Sequence, residues 1–256
     1  MKIRKLLGIS VIVLLALSGV SSAQADFKGF YFGGYVGGAN ENSDAKTSTV
    51  FSPTGYFATT SVPAIAAAGA QSLSPSGFSG GGQAGYNFQV RHFVVGLETD
   101  IGSVSMSDSK STTATYPCCA PTNFTVKQTV ETNWMFTLRP RVGFVTGPLL
   151  VYGTGGMAVA NLNYQALFTD TFATAHENGG AEENQVGWTA GGGAEFKVGP
   201  HWSVKGEYLY ADLGSVSTTS TNLTAFTPAI PFPTNVFTHT ADLRGHNYRF
   251  GFNIHF

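Results

Sequence analysis

The sequence predicts an all-β protein, an eight-stranded antiparallel up-and-down transmembrane β-barrel. Residues 247–256, NYRFGFNIHF, alternate strictly between apolar and polar side chains, which is typical of a strand with one apolar face. After the amino terminus, no apolar run is long enough for a membrane-spanning helix. The rest of the chain divides into alternating segments of about ten residues, the length of a tilted membrane strand.

The amino terminus predicts a secretory signal peptide. It has three cations in its first five residues, then an apolar stretch, then the small-x-small cleavage site AQA that ends at Ala25. We expect residues 1–25 to be removed before Asp26, which leaves residues 26–256 as the barrel domain. The alternative, a retained anchor, is disfavoured by the quality of the cleavage site.

Composition and charge fit this class. Charged residues make up 11% of the chain, against about a quarter of a typical globular domain. The 32 glycines permit tight bends and close approach of strands. Without the three leader cations, 11 Lys and Arg (14 minus 3) face 15 Asp and Glu. A formal charge of about −4 argues against nucleic acid as a partner.

Eight segments alternate as strands should. They are residues 30–40, 78–89, 93–103, 131–145, 149–161, 183–198, 202–213 and 247–256. Aromatics fall on both faces of the first segment, so its orientation stays open. Pro140 removes a ladder hydrogen bond and predicts a bulge or bend in the fourth strand.

The connections alternate between short and long. Residues 90–92, 146–148 and 199–201 predict three tight turns. Four long loops are predicted at residues 41–76, 104–127, 162–182 and 214–241, with a short extra hairpin in the first as an alternative. An even strand number places both termini on one side, and in this class the short turns are periplasmic and the long loops extracellular.

Aromatic side chains predict the two membrane boundaries. Trp202 is expected at the periplasmic boundary, together with several phenylalanines. Trp134, Trp188, Tyr208 and Tyr210 are expected at the outer boundary, where amphipathic rings are favoured.

The polar parity of the strands carries nine charges that are predicted to point into the barrel. They are Glu98, Asp100, Arg139, Arg141, Glu195, Lys197, Lys205, Glu207 and Arg249. Four acids face five bases, so they can pair, which buried charges require. We favour an interior closed by salt bridges, because eight strands enclose little more than their own side chains. The alternative is a narrow ion path.

Other candidate sites are weaker. Adjacent Cys118 and Cys119 form either a vicinal disulfide or two thiols, and neither fits a metal site. His201 and Ser203 resemble the His-x-Ser pair of lipid A deacylases, but they begin at a predicted periplasmic turn, away from the outer leaflet, and we interpret the match as chance. The remaining histidines have no nucleophile partner and no metal spacing, so no enzyme activity, cofactor or metal is predicted. Arg244 lies on the lipid-facing parity above Tyr248. There it can contact lipopolysaccharide phosphate or remain a solvated rim residue.

Several strand segments resemble one family. They are GFYFGGYVGG (29–38), VVGLETDIG (94–102), LRPRVGF (138–144), LLVYGTGGMAVA (149–160), GWTAGGGAEF (187–196), WSVKGEYLYADLG (202–214) and YRFGFNIHF (248–256). The mature chain is similar to the small porin-like outer-membrane proteins of Gram-negative bacteria. This is the opacity-protein and OmpA-type transmembrane superfamily, nearest to the 25/31-kilodalton proteins of alphaproteobacteria.

The resemblance implies location in the outer membrane and a structural role in envelope integrity. It also implies surface exposure, with loops that contact a host or surface ligand. Partners would be outer-membrane lipid, lipopolysaccharide and the assembly machinery, and a monomer is favoured over a trimer. The assembly signal would be the terminal apolar parity of Tyr248, Phe250, Phe252, Ile254 and Phe256.

Two alternative functions remain. One is a small diffusion pore for ions and small solutes. The other is a soluble periplasmic barrel that binds a small ligand, which would need the opposite packing, with aromatics inward and charges outward.

Overall fold

The computed structural model describes residues 25–256, and eight long strands form a closed antiparallel ring. They are β1 Gly29–Thr49, β2 Ser76–Val90, β3 Phe93–Thr115, β4 Asn123–Thr146, β5 Leu149–Asp170, β6 His176–Lys197, β7 Trp202–Ser220 and β8 Phe237–His255. Each strand pairs with its neighbour in sequence, and β1 pairs with β8. The predicted barrel is confirmed. Residues 1–24 of the predicted signal peptide lie outside the described residues.

The remaining elements lie in the connections at one end of the barrel. They are helix α1 (Ser61–Gly69) and the short strands Gln71–Leu73, Thr224–Ala225 and Ile230–Pro231. Within residues 25–256, no helix has the length and apolar character needed to cross a membrane.

The ring closes between the first and last strands. Their register runs from Tyr31 opposite His255 to Thr49 opposite Phe237. The amide of the terminal Phe256 continues it by donating to the Phe30 carbonyl at 2.9 Å. Closure matters in lipid, where a free strand edge would leave backbone groups without hydrogen-bond partners.

The orientation of β1 is settled by burial. Phe30 and Phe32 are exposed on the outside, whereas Tyr31 and Tyr35 are buried inside. The aromatics on both parities therefore serve two environments. The outer ones face lipid, and the inner tyrosines donate their hydroxyls to carboxylates in the lumen.

The outer surface carries a wide apolar band with rings at both edges. At the end with the tight turns, Phe93 contacts Phe144 and Phe32 stacks on Phe256. Trp202 is half-exposed at this edge. At the other edge the rings join across β6, β7 and β8, in the pairs Trp188–Tyr210 and Tyr208–Tyr248. Trp134 is partly exposed on β4.

The four predicted long loops are wrong in extent. Every long strand except β2 continues far past the outer ring belt, so residues 41–49, 104–115, 162–170 and 214–220 are strand rather than loop. The connections at this end are residues 50–75, 116–122, 171–175 and 221–236. The barrel is thus much taller than the membrane, and only its tips are irregular.

Side-chain polarity inverts where the strands leave the apolar band. In the lower half of β3, Leu97 and Ile101 face outward while Glu98 and Asp100 are buried. Above residue 102, outward positions are serines such as Ser107 and inward ones are apolar, such as Met106. The upper half is a water-exposed barrel with an apolar core, which is the packing that the soluble-barrel alternative required of the whole chain.

Two bulges also conceal the strand pattern. In β4, the buried parity is even up to Thr132 and odd from Met135 onward, and register with both neighbouring strands shifts there. The side-chain oxygen of Asn161 accepts the freed amides of Asn133 and Trp134 at 2.9 and 3.0 Å. In β7, the inward parity changes at Gly214, which has a φ of +74°.

The sequence predicted a bulge or a bend at Pro140, and of these the bulge is wrong, because the register does not shift there. Pro140 lies opposite Leu97 in the ladder with β3. On the β5 side, pairing skips Arg139 and Pro140 and resumes in the same register at Arg141. The missing proline donor therefore interrupts the ladder locally. The Thr154 hydroxyl crosses the gap and donates to the Pro140 carbonyl at 2.9 Å.

We expect Gly214→Ala to weaken the barrel by about 1 kcal/mol, because a side chain disfavours the left-handed backbone of the bulge. Gly206→Ala, in the same strand, is the matched control. A Cβ at either position meets nothing within 4 Å, but only Gly214 has a positive φ. Urea unfolding of both refolded variants in detergent measures the difference. Equal stability of the two would contradict the bulge assignment.

Candidate functional site

The lumen within the apolar band is filled by a network of charged side chains centred on Glu98. Its carboxylate is buried and contacts three cations. Arg139 Nη2 lies 2.8 Å from Oε1, Lys205 Nζ lies 2.9 Å from Oε1, and Arg141 Nη1 lies 3.4 Å from Oε2. The Tyr31 hydroxyl adds a hydrogen bond at 2.7 Å. Strands β1, β3, β4 and β7 are thereby joined across the lumen.

A second layer lies toward the outer side. Asp100 accepts from Arg139 Nη2 and from Arg249 Nη1, both at 2.8 Å. Glu207 lies 3.3 Å from Arg139 Nη1, and its other oxygen accepts from the Tyr152 hydroxyl at 2.9 Å. Arg139 therefore bridges the two layers and serves three carboxylates.

The periplasmic end of the network is built around Glu195. Its Oε2 lies 3.1 Å from Arg141 Nη1. Its Oε1 accepts from the Ser203 hydroxyl and the Asn253 amide at 2.6 and 2.8 Å, and lies 3.1 Å from His255 Nε2. The polar parity of the terminal strand thus completes the inner network, while its apolar parity faces lipid.

Aromatic rings support the guanidinium groups. The Arg141 guanidinium lies 4.5 Å from the centroid of Tyr31 and 5.1 Å from that of Tyr152. Arg249 lies 4.2 Å from the centroid of Tyr35. Such cation–π contacts are worth more in desolvated sites, and they fix the planes from which the side chains reach the carboxylates.

Lys197 is a correction to the predicted interior set. It has the inward parity, but β6 ends there and its side chain lies at the periplasmic mouth. Its ammonium donates to the Pro200 carbonyl at 3.2 Å and lies 5.4 Å from the Phe27 ring centroid. Its long stem lets the charge reach solvent instead of the network. The other eight charges are buried, four acids against four bases.

Three further layers close the lumen above the network, an apolar chamber, a polar ring and an aromatic cap, and the sequence analysis missed all three. The first is an apolar chamber of small and medium side chains, with Ala158, Ala160, Leu162, Leu213 and Leu243 among its members. These apolar side chains do alternate with a period of two along their strands, but they lie on the parity that faces the lumen.

The outermost layer is an aromatic cap beneath the loops. Phe57, Phe124, Phe168 and Phe237 are buried and in mutual ring contact, with Ile65 of α1 packed among them. Helix α1 is therefore part of the aromatic cap that closes the lumen.

A polar ring separates the chamber from the cap. His239 is buried, with Nδ1 3.0 Å from the Thr47 hydroxyl and Nε2 3.1 Å from Glu177 Oε1. Gln128 accepts from the Thr47 hydroxyl and donates to the Gly69 carbonyl at 2.8 Å, which ties the strands to α1. All members of this ring are buried, and Glu177 Oε2 has no hydrogen-bond partner among the described residues.

The outer tips carry a cluster of partly exposed rings. Tyr56 contacts Phe172, Phe226 and Phe232 at centroid distances of 6.2, 6.2 and 5.4 Å. Beside it lies a cavity of about 150 Å³, lined by Tyr56, Phe57, Ala58, Ser61, Tyr116, Cys118, Cys119 and Phe172. The two cysteines form a disulfide, which answers the question left open by the sequence.

Asp170 organises this cavity. Its carboxylate accepts from the hydroxyls of Tyr56 and Tyr116 and from the backbone amides of Ala173 and Ala175. Burial and the adjacent carboxylate raise the pKa of both tyrosines, so they remain hydrogen-bond donors. The lining of the cavity is therefore mainly apolar, because the hydroxyls of Tyr56 and Tyr116 already donate hydrogen bonds to Asp170.

Arg244 is exposed just outside the outer belt, on the predicted face. Its Nε lies 3.4 Å from Asp212 Oδ2, and its Nη2 lies 3.9 Å from Asp242 Oδ2. Two carboxylates thus already share its charge. The predicted contact with lipopolysaccharide stays a prediction. In residues 25–256, no group of three or more His, Cys, Asp or Glu side chains is placed to hold a metal ion.

Comparison with known proteins places this architecture. The family described as outer membrane protein beta-barrel domain matches residues 9–256. The chain belongs to that family. The protein is therefore an outer-membrane β-barrel, as the sequence predicted.

Named relatives of the barrel come from Brucella and Rhizobium. The chain is 36% identical over 148 residues to the 31 kDa outer-membrane immunogenic protein of Brucella melitensis, which covers 57% of this chain and 58% of the relative. It is 30% identical over 195 residues to the 25 kDa outer-membrane immunogenic protein of Brucella abortus, covering 75% and 68%. A 22 kDa outer membrane protein of Rhizobium leguminosarum is 27% identical over 139 residues, covering 54% of each chain.

Solved structures are more distant from this outer-membrane barrel. Ail of Yersinia pestis aligns with a TM-score of 0.31 and 14% identity, covering 87% of this chain and 99% of that chain. Neisserial surface protein A gives a TM-score of 0.33 and 13% identity, covering 93% and 100%.

We expect Arg139→Leu to destabilise the barrel by about 3–5 kcal/mol, because it leaves Glu98, Asp100 and Glu207 short of a buried counter-charge. Lys197→Leu is the control and should cost less than about 1 kcal/mol, since that charge lies at the mouth. The measurement is denaturant unfolding of the refolded proteins in detergent. Equal losses in the two variants would show that the network does not depend on Arg139.

Proposed function

We propose that this protein is a closed, non-conducting outer-membrane barrel with a structural role in the cell envelope, and that it carries out no catalysis. The observation that supports this proposal is that successive layers of side chains fill the lumen along its length. A charge network lies within the apolar band, and an apolar chamber, a polar ring and an aromatic cap follow above it. An ion path would have to cross all of them.

The energetics of the network favour a stopper over a pore. A charge lining a water-filled channel keeps its hydration, whereas these eight side chains are 5% exposed or less and bind one another. Opening the network would replace short ion pairs with water in a space that side chains already fill. Closure holds four strands together across the lumen.

Conductance tests this proposal. We expect refolded protein in a planar bilayer to give no stable current steps, and Glu207→Ala to be equally silent because the chamber and cap remain. Heat-modifiable mobility on a denaturing gel shows that each sample is folded, and a known porin serves as the positive control. Reproducible steps that change in size with Glu207→Ala would make the diffusion pore the better proposal.

A second candidate function is contact with a surface ligand through the outer tips. It is supported by the partly exposed ring cluster beside the 150 Å³ cavity. A cavity of about that size with apolar walls accommodates a single six-membered ring. The Brucella relatives are named immunogenic, and we extend from that name only that the tips face the outside. The apolar ring of a ligand would insert beside Phe172.

Replacement of Phe172 by alanine should lower binding of protein-bearing cells to a ligand-coated surface about tenfold, because buried aromatic anchors dominate such contacts. Phe51→Ala is the control. Phe51 is 49% exposed at the same end, close to the 52% of Phe172, but it lies outside the ring cluster. An equal effect of both variants would argue against the cavity as the contact site.

A further inference from the structure

Glu41 carries a buried carboxyl group in the apolar chamber. This group takes no part in the charge network that closes the lumen. It lies on the inward face of β1 and is 8% exposed. Apolar side chains of three facing strands surround it, among them Val104, Met135 and Leu209. Its Oε2 has no hydrogen-bond partner among the described residues. A charged carboxylate is costly in such surroundings.

A small cavity lies against this carboxyl group. Its volume is about 20 Å³, and Thr132 and Asn247 also contribute to its lining. Thr132 Oγ1 and Asn247 Nδ2 are buried and, like Glu41 Oε2, lack a well-formed hydrogen bond within the described part of the chain. The Thr132 hydroxyl nevertheless lies close enough to Glu41 to stabilise its charge. Three polar groups that lack a well-formed hydrogen bond therefore converge on one space.

The size and chemistry of this space fit one water molecule. A cavity needs a volume of about 10–15 Å³ and two to four polar partners to hold one water molecule. The amide of Asn247 can donate to the water oxygen, while Glu41 and Thr132 can accept from it. Gly245 makes the arrangement possible, because a Cβ there would lie 2.7 Å from Glu41 Cγ.

We propose that Glu41, Thr132 and Asn247 form a binding site for one water molecule and one proton, in which the Glu41 carboxyl stays protonated at neutral pH.

No cation offsets this carboxyl among the described residues that line the cavity. His246 is the other titratable lining residue, and its Nδ1 lies 2.8 Å from the Tyr208 hydroxyl. Charged groups elsewhere on the facing strands have other partners. Arg249 pairs with Asp100, Asp108 accepts from Ser74 N, Glu131 accepts from Ser107, and Arg244 pairs with Asp212.

Glu41 lies above the membrane-spanning part of β1. The outer belt is at the level of Gly38, which is opposite Tyr248, and the outward residue after it, Asn40, is polar and exposed. Burial raises the pKa of Glu41 from 4.5 to about 8, and the nearby Thr132 hydroxyl only partly offsets this.

The sign of the pH dependence follows from this direction. A carboxyl that binds its proton more tightly in the folded state stabilises the fold fully below its unfolded pKa of 4.5. That contribution is lost as the pH rises through the folded value of about 8. The upper half of the barrel should therefore weaken in mildly alkaline solution.

The test compares wild type, Glu41→Gln and Glu182→Gln by thermal unfolding in detergent at several values between about pH 6 and pH 9.5. Glutamine is a neutral isostere of the protonated carboxyl, and Glu182 is an exposed control. Over this pH range, we expect the Tm of wild type and of Glu182→Gln to fall by about 5 °C more than the Tm of Glu41→Gln. Parallel curves for all three would overturn the proton site.

A measurement on wild type covers the case in which Glu41→Gln fails to fold. With ¹³C-labelled glutamate, one carboxyl resonance should titrate near pH 8, and a lack of any glutamate titrating above pH 6 would overturn the proposal. For the water, a crystal structure should show one ordered molecule within hydrogen-bond distance of Glu41 Oε2, Thr132 Oγ1 and Asn247 Nδ2. Clear density without it would overturn that half.

Discussion

Pairing of the first strand with the last is the constraint on which the rest of this protein depends. The register of β1 with β8 joins all strands into a cylinder, so no backbone edge meets lipid. Once the cylinder is closed, alternate residues must face a narrow lumen. The polar parity of the terminal strand then supplies Arg249, Asn253 and His255 to that lumen, while its rings face lipid.

One half of this barrel is surrounded by lipid and the other half by water. Within the apolar band, hydrophobic residues face outward and charges must be neutralised inside, which Glu98 and Arg139 achieve by serving several partners each. Above the band, water surrounds the barrel and the ordinary hydrophobic effect fills the lumen instead. All long strands except β2 remain continuous through this change, because the backbone hydrogen bonds are the same in both environments.

The sequence predicted the membrane half well because lipid imposes a strict alternation there, so both the strands and eight inner charges could be located by parity. The upper half was interpreted as loops for two physical reasons. Its outward serines on β3 carry no hydrophobic signal, and bulges near Thr132 and Gly214 change the phase of the pattern. Lys197 shows the limit of parity, which gives the direction of a side chain but not its height in the barrel.

Layering of the lumen also explains why stability and closure are linked in this fold. Ion pairs alone are weak evidence for stability, because desolvation offsets much of their attraction. Here four acids and four bases are confined by a chamber above and by Phe27 and His255 below, so water does not compete for them. The apolar chamber thus strengthens the charge network beneath it, and the network fixes the register on which the chamber depends. Loss of either layer would expose the other to water.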